Sequence, residues 1–172
     1  VETPEATDGL AASTESTQDN TSSYHCILGK DAWSALFTDL KKTSVMAIDT
    51  ETTSLDAMQA HLVGISFCME AGCAYYLPLA HDYIGAPNQL SLDDLLPDLK
   101  AILENPAIEK IGHNIKYDLK VLANHGIQLQ GVHFDTMLAA YLLAGGSGRF
   151  SLDALAKQHL HHENITYESI TG

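Results

Sequence analysis

Val45-Met46-Ala47-Ile48-Asp49-Thr50-Glu51-Thr52-Thr53-Ser54-Leu55 is the stretch that decides the fold. The apolar run from Val45 to Ile48 predicts a buried β-strand. Residues i and i+2 of a strand share a face, so Asp49 and Glu51 converge on one spot. Two unpaired carboxylates there repel and raise each other's pKa, which calls for protonation, a basic partner or a bound cation. The flanking Thr50, Thr52, Thr53 and Ser54 supply no base. A hard divalent ion such as Mg²⁺, which prefers carboxylate and water oxygens, is the natural partner. Spacing alone also admits a plain strand end, with one acid solvated and the other capping a turn.

A second acidic segment strengthens the metal reading. In Lys110-Ile111-Gly112-His113-Asn114-Ile115-Lys116-Tyr117-Asp118 and the residues after it, Ile115, Leu119, Leu122 and Ala123 fall at i, i+4, i+7 and i+8. That is an amphipathic helix, and Gly126 is a suitable stop. At 3.6 residues per turn Asn114 and Asp118 lie nearly one above the other, with Asp118 at the border of the apolar stripe. Lys116 and Lys120 stand two residues away and do not face it. A third carboxylate delivered to Asp49 and Glu51 explains its place better than an ion pair does.

Outward from these motifs the chain alternates strands and helices. Trp33, Leu36, Phe37 and Leu40 predict a short amphipathic helix before the first strand. Residues 62–70 and 73–79 predict two further strands joined by a tight turn, in an antiparallel meander with Asp49 and Glu51 on the central strand. Residues 91–104 predict a helix that Pro97 should kink or restart. Residues 108–112 and 132–134 read as short strands. Asp135 opens a helix through Leu143, as an N-cap or as a further ligand, and Ser151 caps a helix over 152–160.

Composition indicates one domain with a tail. A chain of 172 residues that is 45% hydrophobic can bury one substantial core. Residues 1–23 are rich in Ser, Thr, Glu and Asp, lack Lys, Arg and aromatics before the final Ser23, and are expected to be disordered. The net charge is −13, of which five uncompensated acids lie in that tail, leaving −8 for the remainder. Such a chain has no basic face for gripping duplex nucleic acid by itself, so it is expected to hold only a few terminal nucleotides, with a neighbouring basic domain supplying most backbone affinity. An acidic domain unrelated to nucleic acid fits the charge equally well. Neither a signal pattern nor an apolar run near 18 residues is present, so no membrane is expected. Cys26, Cys68 and Cys73 contain no C-x-x-C and are odd in number, which predicts buried, reduced thiols in a cytoplasmic setting. His159, His161 and His162 lack a second cluster at zinc spacing and read as an exposed helix end.

Four strings in order, Ala47 to Leu55, Tyr76-Leu77-Pro78-Leu79-Ala80-His81-Asp82-Tyr83, Gly112 to Asp118 and Phe134-Asp135-Thr136-Met137-Leu138, resemble the 3′→5′ exonuclease domain of bacterial DNA polymerase I. The resemblance runs from about Tyr24 to Gly172 and takes residues 24–172 as the exonuclease domain, with residues 1–23 as an acidic linker. It implies an α/β, ribonuclease-H-like mixed sheet, an antiparallel three-strand meander plus parallel strands, flanked by helices. It also implies a proofreading exonuclease of the DEDD superfamily that uses two divalent metal ions, Mg²⁺ or Mn²⁺/Zn²⁺. Asp49, Glu51 and Asp118 match its catalytic, metal-binding carboxylates. Asn114 matches a motif asparagine, and Leu55 the residue that packs against the terminal base. Thr52 would meet the terminal nucleotide. Tyr117 either stacks on a base or packs as a helix-edge aromatic, and Leu55 has a core contact as its alternative.

One departure from the family pattern stands out. The family's third motif, a Tyr followed four residues later by an Asp, does not follow Asp118: Gly145 stands four after Tyr141 and Thr171 four after Tyr167. The chain is therefore expected to be a C-terminally truncated part of a polymerase. The partners implied are a single-stranded or frayed DNA 3′ end and the polymerase domain of the parent chain, in a monomeric, nucleoid-associated protein. A non-catalytic DNA-end-binding scaffold and an RNA-processing exonuclease of the same superfamily stay open as alternatives.

Overall fold

The computed structural model describes residues 22–165, so nearly all of the expected acidic linker, along with Tyr167 and Thr171, lies outside the described residues. Chain order is β1 (Ser23–Cys26), α1 (Lys30–Leu40), β2 (Val45–Thr52), β3 (Leu62–Glu70), β4 (Cys73–Pro78), α2 (Leu92–Leu103), β5 (Glu109–Gly112), α3 (Ile115–Asn124), β6 (Val132–Asp135), α4 (Thr136–Leu143) and α5 (Leu152–Leu155). A π-helical turn, Ala156–Leu160, continues α5. The strands form one six-stranded sheet in the order β1-β4-β3-β2-β5-β6. β2, β3 and β4 pair antiparallel, whereas β1 on β4, β5 on β2 and β6 on β5 are parallel. This is the mixed α/β sheet that the resemblance implied, with one change of detail. The middle strand of the meander is β3, and β2 instead lies between β3 and β5, inside the whole sheet.

Alternation along β2 explains the layering. Met46, Ile48 and Thr50 are buried on one face, in register with Phe67 and Ile65 of β3, while Ala47, Asp49 and Glu51 share the other. The first face carries the core. Trp33, Leu36 and Leu40 of α1, Leu95, Leu99 and Ile102 of α2, and Ile115, Val121 and Leu122 of α3 pack there with Met46, Ile48, Ile65, Phe67 and Leu77. Each such side chain taken from water contributes about 1.5–3 kcal/mol. The Trp33 indole donates to Asp98 Oδ2 at 2.8 Å and so ties α1 to α2. The second face is thinly covered, with a groove of about 280 Å³ over Ala47, Ser66, Cys68, Ala74, Ile111 and Leu152. On the helices that follow β6, Leu138, Leu142, Leu143 and Leu152 are more than half exposed.

Several expectations change in the structure. α2 runs unbroken through Pro97, whose ring faces solvent, so the carbonyl it leaves without a donor can be hydrated. β1 had no sequence signal, because Ser-Tyr-His-Cys is an edge strand exposed at every position. None of the three cysteines is buried: Cys26 lies exposed on that edge, Cys68 is half-buried on the thinly covered face, and Cys73 is half-buried at the start of β4, all as free thiols. Lys110 of β5 is fully buried, its ammonium donating to the Asn105 carbonyl at 2.6 Å, and burial pushes its pKa down to about 8. Among the described residues no helix is long and apolar enough to cross a membrane.

Candidate active site

Asp49 and Glu51 leave the C-terminal half of β2 on its open face, as their spacing requires, and both are solvent-accessible. Enough protein crowds Asp49 that desolvation is the first cause of a raised pKa, about 6 against an ordinary 3.8. The charges of Asp118 and then Glu51 add to it. These three acids therefore sense one another, although they come from two elements. Among the described residues the ion pairs are Lys42–Asp39, His133–Glu109 and Lys157–Glu163, none of which touches the three.

Asp118 arrives from the first turn of α3 and is 2% exposed. Its Oδ1 accepts two hydrogen bonds from Thr50, from the amide at 3.0 Å and from Oγ1 at 2.6 Å. Burial raises the Asp118 pKa, the two Thr50 bonds oppose that rise, and the charge of Asp135 adds to it. Thr50 is the functional residue that sequence reasoning passed over. Its signal was available: it occupies a core position in the alternation Met46, Ile48, Thr50, where a hydroxyl needs a partner.

The donor set suits a hard divalent cation in its chemistry, being carboxylate-only and without a counter-charge. Geometrically it is open. Among the described residues no three His, Cys, Asp or Glu side chains already stand as a chelate, and Asp118 Oδ1 is turned to Thr50. His159, His161 and His162 are exposed and join no such group.

The other residues singled out in the sequence surround the acids. Leu55 is 98% exposed on the β2–β3 connection, which excludes the core contact. It lines a cavity of about 370 Å³ with Met58, Asn114, Lys116, Tyr117 and Lys120. Tyr117 packs its ring against the core and engages its hydroxyl with Thr52 Oγ1 and the Ser54 carbonyl, so it stands as a packed helix-edge aromatic. Thr52 is joined to that cavity through Tyr117 and faces a second one, of about 420 Å³, with Glu51, Val63, Tyr76 and His81. There the Tyr76 hydroxyl and His81 Nε2 lie 2.6 Å apart, and burial pushes the phenol up to about 12 with the Glu51 charge adding. Tyr76 lies so close over Gly64 that a Cβ there would run into its ring and hydroxyl, so a larger residue at that point of β3 would displace the phenol. Asp135 is an N-cap of α4, accepting from Met137 and Leu138, and it also accepts from the amides of Asn114 and Ile115.

The sequence model of a 3′-5′ exonuclease family matches residues 24–172. DNA polymerase I of Pseudomonas aeruginosa is 44% identical over 151 residues, a match covering 87% of this chain and 16% of that protein. DNA polymerase I of Rhizobium leguminosarum is 40% identical over 159 residues, covering 83% and 15%. The chain thus spans about one sixth of the length of these relatives. Among solved structures, the POL domain of Pol1 from M. smegmatis, in complex with DNA primer-template and dNTP, superposes with a TM-score of 0.63 at 26% identity, over 81% of this chain and 23% of that one. RNase D of Escherichia coli gives 0.60 at 24% identity, over 86% and 36%, a likeness of fold.

Proposed function

The chain belongs to this 3′-5′ exonuclease family, and on that premise we propose that it hydrolyses 3′-terminal phosphodiesters of DNA as the proofreading part of a DNA polymerase I. The observation that carries the proposal is the uncompensated cluster of Asp49, Glu51 and Asp118, with the Asp49 carboxyl raised to about 6 by burial and by its two acidic neighbours. Such a cluster stores repulsion that bound cations relieve. Asp49, Glu51 and Asp118 would hold two divalent ions, Mg²⁺ or Mn²⁺/Zn²⁺. When bound, these would polarise the scissile phosphate and lower the pKa of the attacking water.

The chain's own residues supply positioning. Thr50 holds Asp118 against β2, so α3 delivers its carboxylate to the strand that carries the other two. Leu55, fully offered to solvent, gives the terminal base an apolar contact, and the Asn114 amide lines the same cavity. Lys116 and Lys120, one turn apart there, are suited to backbone phosphates in a chain that is otherwise strongly acidic. A cavity of this size accepts a single unstacked nucleotide, so a frayed 3′ end, which needs least unpairing, is the fitting substrate. The relatives at 40% identity and above are DNA polymerases, which favours DNA over RNA and a polymerase domain as the partner in the parent chain. We assign the products as nucleoside 5′-monophosphates, the working state as monomeric and the setting as cytoplasmic.

The test is Mg²⁺- or Mn²⁺-dependent degradation of a 3′-unpaired DNA strand and its RNA counterpart. This chain is compared with a version extended through the Tyr and Asp pair of the third motif. DNA degradation by the extended version supports the proposal, preference for RNA transfers it to the RNA-processing branch, and inactivity of both leaves a DNA-end-holding scaffold.

A further inference from the structure

Asp135 joins two helix starts. Its Oδ1 accepts from Met137 at 2.9 Å and Leu138 at 3.1 Å at the head of α4, and from Asn114 at 3.2 Å at the head of α3. Oδ2 accepts from Ile115 at 2.9 Å. Four backbone donors thus converge on one carboxylate and, against the opposing effect of its burial, hold its pKa below the ordinary value. The head of each helix leaves backbone N–H groups unpaired, and here one side chain serves both. A second strap crosses the same junction: Thr136 Oγ1 bonds the Gly112 carbonyl at 3.2 Å and lies 2.9 Å from His113 Nδ1.

Helix α3 needs an outside cap because its own N-cap residue cannot serve. Asn114 is left-handed, with φ 60° and ψ 42°, and makes no side-chain bond to its helix. Self-capping requires extended backbone at that position. Asparagine is among the few residues besides glycine that tolerate the left-handed region. The consequence is an amide released from capping, on a residue that lines the cavity beside Leu55 and Tyr117.

We propose that Asp135 is a positioning residue for the 3′ end: by capping α3 from β6 it fixes the left-handed turn at Asn114 and keeps that amide free for the terminal nucleotide. Asp118, one turn further along α3, is placed by the same anchor. The proposal rests on the exonuclease reading above. It also gives Asp135, close enough for its charge to act on Asp118, the role of a cap rather than a further metal ligand, since four backbone amides already bond its carboxylate.

The test uses the full parent polymerase with three variants. Asp135→Ser keeps a short cap for α4 but cannot reach α3. Asn114→Gly keeps the left-handed turn and deletes only the amide. The third variant combines them. The readouts are KM and kcat for a 3′-unpaired DNA strand, the anisotropy of a fluorescent strand of the same sequence in Ca²⁺, and thermal unfolding. Each single change should raise KM and Kd about tenfold with a smaller effect on kcat, and the double variant should be no worse than the weaker-binding single one. Only the variants at Asp135 should lose thermal stability. Independent, multiplying losses in the double variant, or lower stability with unchanged KM in Asp135→Ser, would reduce Asp135 to a fold element and overturn the proposal. Should Asp135→Ser not fold, Asp135→Asn, which retains one acceptor oxygen, takes its place with an intermediate KM expected and an unchanged KM refuting. A wild-type protein that neither binds nor cleaves the strand sinks the exonuclease reading itself, a result that no pattern among the variants can imitate.

Discussion

Asp49→Asn should stabilise the metal-free protein. In the folded chain the Asp49 carboxyl titrates at about 6 rather than its ordinary 3.8. The folded state therefore holds this proton more tightly than the unfolded one, and stability falls as pH rises from about 4 to about 6. At full strength a shift of that size corresponds to about 3 kcal/mol of destabilisation above pH 6. Asp49 keeps access to solvent, so screening leaves about 1 kcal/mol of it. The asparagine is nearly isosteric and uncharged, so in EDTA at pH 7.5 its thermal midpoint should lie about 2–4 °C above wild type. The gap should narrow toward about pH 4 and close at about pH 3, below the ordinary 3.8, where wild-type Asp49 is protonated in both states. Added Mg²⁺ or Mn²⁺ should reverse the order, because the cation stabilises wild type by mass action and finds a weakened site in the variant. Differential scanning calorimetry across pH, with and without metal, measures all of this. A variant no more stable than wild type at pH 7.5, or equally more stable at pH 4, would refute the idea that the three acids repel.

Four further expectations follow from the same geometry. Asp49→Ala should abolish metal-dependent exonuclease activity of the complete domain with an unchanged circular dichroism spectrum, and full activity in that variant would overturn the site. Thr50→Val removes the hydroxyl 2.6 Å from buried Asp118 and should cost about 1–3 kcal/mol in denaturant unfolding. It should also move the acidic limb of the pH–rate profile upward, and an unmoved limb would mean that Thr50 does not tune Asp118. Leu55→Ala, at a 98% exposed position, should change stability by less than about 0.5 kcal/mol while raising KM for 3′-unpaired DNA several-fold; unchanged KM would remove Leu55 from the substrate contacts. Lys110 titrates at about 8 when folded and 10.5 otherwise, so the unfolded chain binds the extra proton between those values and stability should rise with pH across that window. Lys110→Met, stabilising by about 1–3 kcal/mol at pH 7, should lose that rise in calorimetry, and a variant that keeps it would point to another group.

Much of the site was legible because its logic is local. Asp49 and Glu51 share a face by strand periodicity alone, and the cap residues Asp135 and Ser151 announced themselves at the heads of α4 and α5. What stayed hidden was tertiary. The reach of Asp135 to α3 depends on β5 and β6 lying side by side, a parallel pairing that no local pattern encodes. The tie from Thr50 to Asp118 needs the packing of α3 under β2. β1 was invisible because an exposed edge strand needs no apolar alternation. Pro97 misled in the other direction: a proline whose ring and orphaned carbonyl face water interrupts one hydrogen bond, not the helix.

The bond between Thr50 and Asp118 spans 68 residues of chain, which makes the candidate site a reporter of the chain's own folding. Asp49 and Glu51 are neighbours in any conformation, but two carboxylates alone are a weak, floppy ligand pair. The third arrives only after β2 has joined the sheet, α3 has formed and the core between them has closed. A nascent, heat-damaged or partly unfolded chain therefore carries the acids without the assembled site. On the proposed function, loss of structure would also be loss of the power to cut DNA, so a failing molecule would disarm itself.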